Sequence, residues 1–359
     1  MRQGRAKYVF PGSNTPLGFY SFYHDGLSGL DRVFILKGGP GTGKSTLMRK
    51  IGIAMLERGY DVEFWQCSSD NDSLDGVLVP ALSVAVIDGT SPHTIDPLYP
   101  GAVDEIINLG EHWNDQYLRH HKQEIIEINT DINERFRYCY EKLAEAGDLL
   151  EKQQMKNNSL VDERKMATAQ TALSEGIFLH QSLPVRHLFA STVTPRGLMS
   201  FADAISRTAN VRYLLTGKSG GGKERLIASI AALAEEKGHN IEIYHNTFIP
   251  QQIEMILMPS LGVAVIDCGT EPKDVRPQDM VIDCDDLIIE GGVFEEDAEE
   301  WQEKFDSLVA EAAAAIADAK SLHDNLECYY NKAMDFEAVD LTGSRLFNKI
   351  LSLAANKEK

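Results

Sequence analysis

The sequence predicts an α/β fold of two tandem three-layer domains, each with a parallel sheet and a helical segment after it. Three observations predict this fold. A segment of the chain recurs at a constant offset, short apolar runs alternate with an amphipathic helix inside each copy, and a charged helical stretch ends each copy. The length of 359 residues agrees, because it suffices for about two domains.

The repeat has an offset of 179 residues, the distance from Gly38 to Gly217. At the same offset "RGYDVEFW" aligns with "KGHNIEIY", and "VAVIDGT" aligns with "VAVIDCGT". A gapless offset over such a span indicates a tandem duplication. The predicted domains are 1–183, with a helical arm at about 102–183, and 184–359, with a helical arm at about 294–359.

Within the first copy, "RVFILK" at 32–37 predicts a buried strand. The segment 44–59 has apolar residues at helical spacing and ends at Gly59, which predicts a helix. "DVEFWQC" and "SVAVID" predict two further strands. Continuous apolar strands that alternate with a helix are typical of a parallel sheet covered by helices. The long arm helices are expected to form a hairpin that packs on the core or on a partner.

Composition excludes some classes of function. The formal net charge of −19 argues against a broad nucleic-acid surface or an anionic-membrane surface, so no nucleic-acid partner is expected. The apolar run at 256–266 is too short to span a bilayer, and no membrane span is expected. The start of the chain lacks the apolar core of a secretory signal, and the five cysteines are scattered, which favours a cytoplasmic protein.

The stretch "GGPGTGKS" at 38–45 fits the pattern G-x-x-x-x-G-K-[ST] between a predicted strand and a predicted helix. Glycines allow backbone N–H groups to converge on phosphate oxygens, and the helix N-terminus adds positive potential. Lys44 would reach the β- and γ-phosphates, and the Ser45 hydroxyl would bind Mg²⁺. The predicted phosphate-binding residues are Gly38, Gly39, Pro40, Gly41, Thr42, Gly43, Lys44, Ser45 and Thr46.

On these residues, the core of each half resembles the P-loop NTPase superfamily. More narrowly, the chain is similar to a bacterial family of tandem-duplicated P-loop ATPases or ATP-binding proteins. The resemblance implies ATP and Mg²⁺ as cofactors, with Lys44 and Asp88 in catalytic roles. It also implies that Asp88, at the end of "SVAVID", faces the Mg²⁺ ion bound by Ser45.

The sequence departs from the best-known ATPases directly after Asp88, where Gly89 stands in place of a glutamate. Another residue then orients the nucleophile, or hydrolysis is slow. The acidic loop "CSSDNDSLDG" at 67–76 offers Asp70 as a catalytic candidate. The alternative is that this cluster simply forms turns, and the two interpretations weigh about equally.

The second loop, "GKSGGGKE" at 217–224, keeps its glycines and Lys223, but Glu224 replaces the hydroxyl residue. A carboxylate there would repel phosphate oxygens. We expect a structural remnant or a weak second phosphate site that supports the first half. Its residues would be Gly217, Gly220, Gly221, Gly222 and Lys223. Candidates for an arginine that acts on the first site from the second half are Arg196, Arg212 and Arg225.

Three functions remain open at this point. The first is an ATPase whose hydrolysis moves the helical arms. The second is a nucleotide or small-molecule kinase, in which the acidic loop binds an acceptor hydroxyl. The third is a non-hydrolysing ATP-dependent switch or scaffold, whose arms bind an unknown protein partner. The substitution of Gly89 for a glutamate favours the second and third, and the complete first loop disfavours a purely structural role.

Overall fold

The computed structural model describes residues 3–91, 94–177, 185–272, 274–289 and 298–357. The strands of the first half are β1 (Ala6–Val9), β2 (Gly12–Thr15), β3 (Gly18–Ser21), β4 (Arg32–Lys37), β5 (Val62–Gln66), β6 (Leu74–Val79), β7 (Val84–Asp88) and β8 (Asp104–Asn108). Its helices are α1 (Tyr23–Leu27), α2 (Lys44–Glu57), α3 (Asp115–His120), α4 (Lys122–Asn158) and α5 (Glu163–Ile177).

Among the described residues, the second half repeats this order apart from α3. Its strands are β9 (Val185–Phe189), β10 (Ser191–Thr194), β11 (Gly197–Ser200), β12 (Val211–Thr216), β13 (Ile241–His245), β14 (Ile253–Met258), β15 (Val263–Asp267) and β16 (Met280–Asp283). Its helices are α6 (Ala202–Ser206), α7 (Lys223–Glu236), α8 (Ala298–Ala333) and α9 (Phe336–Lys357). The predicted boundary at 183/184 and the predicted arm start at about 294 lie outside the described residues.

Each half forms a six-stranded mixed sheet in the described part of the chain. The strand order is β1–β5–β6–β7–β4–β8 in the first half, and the equivalent strands follow the same order in the second half. The α/β class is confirmed, but the prediction of fully parallel sheets is wrong, because β6 and β14 run antiparallel to both neighbours. The links between β5, β6 and β7 are too short for the crossover that parallel strands need.

The predicted helical arm of the first half begins with a strand. Residues 104–108 form β8, which pairs in parallel with β4 at the edge of the sheet. The helices of this arm follow only from Asp115 onward.

The central strands are buried on both faces, and a different partner covers each face. On β4, Phe34 and Leu36 face a cluster that includes α2 and α9. Val33 and Ile35 face a second cluster, which contains α1, α6 and inner-face residues of the other sheet. Helices therefore cover the outer face of the first sheet, and the second half helps to cover its inner face.

The terminal helix of each arm packs on the core of the opposite half. Leu346 and Ile350 of α9 are buried in the cluster formed by the first sheet and α2. Reciprocally, Met166 and Leu173 of α5 are buried with α7 and the second sheet. Each half thus supplies apolar side chains that complete the hydrophobic core of the other half.

The two long helices, α4 and α8, pack against each other in antiparallel orientation. Near the end of α4, the carbonyl of Leu149 accepts a hydrogen bond from Trp301 Nε1 at 3.1 Å. Nearer its start, Ile132 packs with Ala319 and Leu326. Residues later in α4 therefore contact residues earlier in α8. The arms of the two halves therefore form one paired unit.

Residues 179 positions apart contact each other near the start of each copy. The backbones of Phe10 and Phe189 exchange two hydrogen bonds of 3.1 and 3.0 Å. The hydroxyls of Ser13 and Thr192 lie 2.6 Å apart. A contact between equivalent residues marks the axis of a twofold-symmetric interface. The two copies are therefore related by a pseudo-twofold axis that passes close to these residues.

A group of four charges, the charge quartet, lies between the two sheets, with two buried carboxylates and two half-buried cations. Its members are Lys7, Glu63, Arg186 and Glu242, and the offset of 179 relates Lys7 to Arg186 and Glu63 to Glu242. Lys7 Nζ lies 2.6 Å from Glu242 Oε2, and Arg186 Nη2 lies 2.7 Å from Glu63 Oε1. Burial opposes ionisation of Glu63, but Arg186 and Lys7 outweigh it and hold the pKa of this carboxyl well below its usual range. The quartet thus joins the halves through compensated charges.

Among the described residues, no helix has both the length and the apolar character needed to cross a membrane.

The charge quartet generates a prediction for the substitution Glu63→Gln. We expect it to lower the free energy of unfolding by about 3 kcal/mol, because it leaves two half-buried cations, Lys7 and Arg186, with a single carboxylate. Urea denaturation at pH 7 measures the loss. Glu57→Gln at an exposed position of α2 is the control, with an expected change within about 0.5 kcal/mol. A loss below about 1 kcal/mol for Glu63→Gln would show that the quartet is not a strong link.

The exchanged helices generate a second prediction, for two leucines of α9. Leu346 is 1% exposed against the first core, and Leu341 is 61% exposed. Leu346→Ala should cost about 3 kcal/mol of unfolding free energy through the cavity it leaves. Leu341→Ala should cost less than about 1 kcal/mol.

Urea denaturation gives both costs, and hydrogen exchange should show lost protection in α2 for Leu346→Ala. Equal effects of the two substitutions would contradict the packing of α9 on the first core.

Candidate functional site

The first loop, residues 38–45, lies at the carboxyl end of β4 and leads directly into α2. The neighbouring strand β7 is parallel to β4, and its register places Asp88 beside Leu36. The carboxyl ends of parallel strands share one edge of the sheet. The loop and Asp88 therefore meet at this edge, as the order of predicted elements indicates.

Glycine is required in the first loop at two left-handed positions. Gly41 has φ +66° and Gly43 has φ +87°, a region that side chains with a Cβ rarely adopt. The hydroxyl of Thr42 donates a 2.8 Å hydrogen bond to the Gly39 carbonyl and fixes the turn. The loop is a tight series of turns ahead of the helix N-terminus.

Lys44 and Asp88 are brought together within this loop. Lys44 is 8% exposed, and its Nζ donates to the carbonyls of Gly38 at 3.0 Å and Gly39 at 2.7 Å. The same Nζ lies 3.6 Å from Asp88 Oδ2. The other oxygen, Asp88 Oδ1, accepts hydrogen bonds from the backbone and hydroxyl of Thr90. One ammonium and one carboxylate thus face each other at the edge of the sheet.

The acidic loop is tied to the start of α2 through Ser45. Ser45 Oγ accepts a 3.0 Å hydrogen bond from the backbone N–H of Leu74, while Thr46 is exposed. Asp70 Oδ1 caps a local turn by accepting from the Asp72 backbone N–H at 2.9 Å. Asp70 Oδ2 also lies 3.7 Å from Lys320 Nζ of α8. Asp70 therefore forms a turn and also faces a cation from the other half.

The end of α8 covers the first loop, a contact that the sequence pattern does not predict. Glu327 Oε1 accepts a 3.1 Å hydrogen bond from the backbone N–H of Gly41. A Cβ at Gly39 would lie 2.3 Å from the Tyr330 ring, and a Cβ at Gly41 would lie 2.6 Å from Asn331 Oδ1. A helix from the second half therefore packs directly against the loop of the first half.

His323 extends this contact one turn earlier on α8. Its Nε2 lies 3.7 Å from Glu327 Oε1. Burial lowers the pKa of His323, and the nearby charge of Lys44 lowers it further against the opposing effect of Glu327. The spacing of residues 320, 323, 327 and 330 places them on one face of a helix. The sequence spacing therefore predicts that these residues share a helix face, but it does not predict that the face contacts the first loop.

One of the three candidate arginines also reaches the first site. Arg196 Nη2 lies 2.9 Å from Asp72 Oδ2 in the acidic loop. The other two form ion pairs away from this site, Arg212 with Asp279 of the second half and Arg225 with Glu163 of α5. The structure therefore distinguishes Arg196 from the other candidates by position.

The second loop, residues 217–224, holds its charges internally. Lys223 Nζ lies 2.7 Å from Asp267 Oδ1. Glu224 Oε1 accepts a 3.1 Å hydrogen bond from the backbone N–H of Gly220. Gly220 is the repeat equivalent of Gly41, so the equivalent N–H group donates to a carboxylate in both loops.

A cavity of about 460 Å³ lies beside the second loop and is lined by both halves. Gln154 and Asn157 of α4 line it together with Lys223 and Glu254. Burial, reinforced by nearby Asp267, raises the pKa of Glu254 to about 8 against a hydrogen bond from Ser191. The raised pKa favours the protonated form of the Glu254 carboxyl group in the folded protein.

The oxygen atoms of Ser45 and Asp88 suit a magnesium ion that arrives with phosphates. Mg²⁺ binds through one or two protein oxygens when phosphates and water complete its shell. In the part of the chain that the structure describes, no group of three or more His, Cys, Asp or Glu side chains is placed to hold a metal. The donor set therefore fits a nucleotide-bound ion better than a metal held by protein alone.

No protein-family model matches the sequence, and searches of curated proteins and of solved structures found no match.

The raised pKa of Glu254 predicts a pH dependence of stability. The folded state keeps the proton up to about pH 8, while the unfolded chain loses it near the ordinary value of 4.5. Between these values the unfolded state binds fewer protons, so rising pH destabilises the fold.

Glu254→Gln removes this titration and should gain more than about 1 kcal/mol over the wild type between pH 5.5 and pH 8.5. Urea denaturation at both pH values measures the difference, with exposed Glu236→Gln as the control. A constant difference between Glu254→Gln and the wild type at both pH values would contradict the raised pKa.

Proposed function

We propose that this protein binds ATP with Mg²⁺ at the first loop and hydrolyses it, and that the second half acts as an auxiliary. The observation that carries the proposal is the approach of Lys44 Nζ to within 3.6 Å of Asp88 Oδ2 at the edge of the sheet. A loop of the phosphate-binding pattern, a buried lysine and a strand-end carboxylate meet there at a helix N-terminus.

The proposed role of the first loop is to hold the β- and γ-phosphates. Backbone N–H groups around Gly41 and Gly43 and the N-terminus of α2 favour anions. Lys44 would turn from the carbonyls of Gly38 and Gly39 toward phosphate oxygens, because its present acceptors are neutral and phosphate is charged. We also propose that each half is a P-loop NTPase-like domain.

Ser45 and Asp88 are the residues that would hold the nucleotide-bound Mg²⁺. When bound, the ion would neutralise charge that develops on the phosphates. The hydrogen bonds from Thr90 to Asp88 Oδ1 orient the carboxylate, so that Oδ2 faces the loop. Ser45 keeps a lone pair beyond the one that accepts from Leu74.

Asp70 is the proposed group that orients the attacking water. It lies in the acidic loop that the Ser45 hydrogen bond ties to α2. The proposed auxiliary role of the second half rests on two cations that it brings to this loop. Lys320 lies 3.7 Å from Asp70, and Arg196 lies 2.9 Å from Asp72.

A non-hydrolysing ATP-dependent switch is the second candidate function, and one contact favours it. Glu327 holds the Gly41 N–H, so nucleotide binding would move α8 whether or not hydrolysis follows. Gly89 in place of a glutamate after Asp88 also favours slow turnover. An unknown protein partner of the α4–α8 pair would then sense the bound nucleotide.

ATP turnover in matched lysine variants tests the proposal. Lys44→Met and Lys223→Met remove equivalent ammonium groups from the two loops while keeping side-chain length. We expect Lys44→Met to lose Mg²⁺-dependent release of ADP and phosphate by about 100-fold or more, because a charged phosphate contact is lost. Lys223→Met should stay within about threefold, because in the second loop Glu224 replaces Ser45 and its carboxylate accepts from the Gly220 N–H, where it would repel phosphate.

Circular dichroism of each variant checks that it is folded. Tight ATP binding without phosphate release would favour the switch, and phosphate transfer to an added acceptor would favour a kinase. If Lys44→Met changes neither ATP binding nor turnover, the proposed nucleotide site is wrong.

A further inference from the structure

We propose that Glu327 is a built-in competitor of the nucleotide, a carboxylate that must leave the Gly41 N–H before a phosphate can bind there. This inference rests on the proposed function and adds its regulation. It assigns to the second half a residue inside the first half's site.

The contact itself has the chemistry of phosphate recognition. A backbone N–H of a glycine-rich loop donates to a carboxylate oxygen at 3.1 Å, ahead of the N-terminus of α2. The same N–H groups and the same helix potential would hold a phosphate oxygen. A nucleotide and Glu327 therefore compete for one donor, and their negative charges repel each other.

Neighbouring residues of α8 make the competition steric as well as electrostatic. The Tyr330 ring occupies the space that a Cβ on Gly39 would enter, and Asn331 does the same at Gly41. Gly43 faces α9 through Val339 and Phe336. Access of phosphates to the first loop thus requires displacement of the end of α8.

The second loop contains an equivalent contact between a glycine N–H and a carboxylate. There the carboxylate that accepts from Gly220, the equivalent of Gly41, is Glu224. Glu224 belongs to α7, the helix that this loop itself begins, so the acceptor cannot move away from the loop as a separate body. In the first loop the acceptor sits on a different helix, α8, so movement of that helix would break the contact.

Displacement of the end of α8 would also affect α4. On the N-terminal side of Glu327, Leu326 and Ala319 of α8 pack against Ile132 of α4. The far end of α4 carries Gln154 and Asn157, which line the cavity at the second loop. Release of Glu327 by a nucleotide would therefore change the packing of the paired arms.

The affinity of the full-length chain for Mg²⁺-ATP tests this inference. We expect Glu327→Ala to bind labelled ATP about tenfold more tightly than the wild type, because a charged competitor is removed. Glu327→Gln, which keeps an acceptor but loses the charge, should lie between the two. Glu303→Ala, at an exposed position on the same helix, is the matched control and should bind like the wild type.

Hydrogen exchange supplies a second readout that does not depend on turnover. In the wild type, Mg²⁺-ATP should speed amide exchange at residues 326–333, and Glu327→Ala should exchange faster there without nucleotide. Equal or weaker ATP binding by Glu327→Ala, with intact binding by the wild type, would overturn the inference alone. If neither the wild type nor Glu327→Ala binds ATP, the proposed function fails and the inference falls with it.

Discussion

The reciprocal exchange of α5 and α9 is the constraint on which the rest of the structure depends. Each sheet has an outer face that its own crossover helix only partly covers, and the remaining apolar surface is buried by the other half's last helix. Apolar burial is the dominant favourable contribution to folding. Neither core is therefore complete without the other half. The long helices α4 and α8 lead the chain from each half to α5 and α9 on the opposite core.

The two halves share one strand order, but the carboxylates that contact their glycine-rich loops differ. At the pseudo-twofold axis, Glu63 and Glu242 play equivalent parts and each faces the cation of the opposite copy. At the two loops the equivalence ends, because Glu224 comes from its own helix and Glu327 comes from another. Equivalent ion pairs thus join the two halves at the axis, while carboxylates from non-equivalent positions contact the two loops.

The sequence predicts the local elements well and the long-range partners poorly. β4 lies at the predicted positions, and α2 ends within two residues of the predicted end, because buried runs, helical spacing and a terminal glycine are local signals. β6 was missed, since Asp75 and Gly76 interrupt its apolar pattern. The meeting of Lys44 and Asp88 follows from strand order. The arrival of Glu327 does not, because an apolar helix stripe predicts burial without naming the surface that buries it.

The long sequence separation between α9 and the strands it covers also fixes when the first core can be completed during synthesis. Ile350 packs among strands made about 260 residues or more before it, so that apolar surface stays uncovered until α9 has left the ribosome. Contacts between such distant segments slow folding and prolong exposure to aggregation. A nascent chain of this protein, halted anywhere before α9, would therefore carry an open hydrophobic face and be a substrate for chaperones that bind such surfaces.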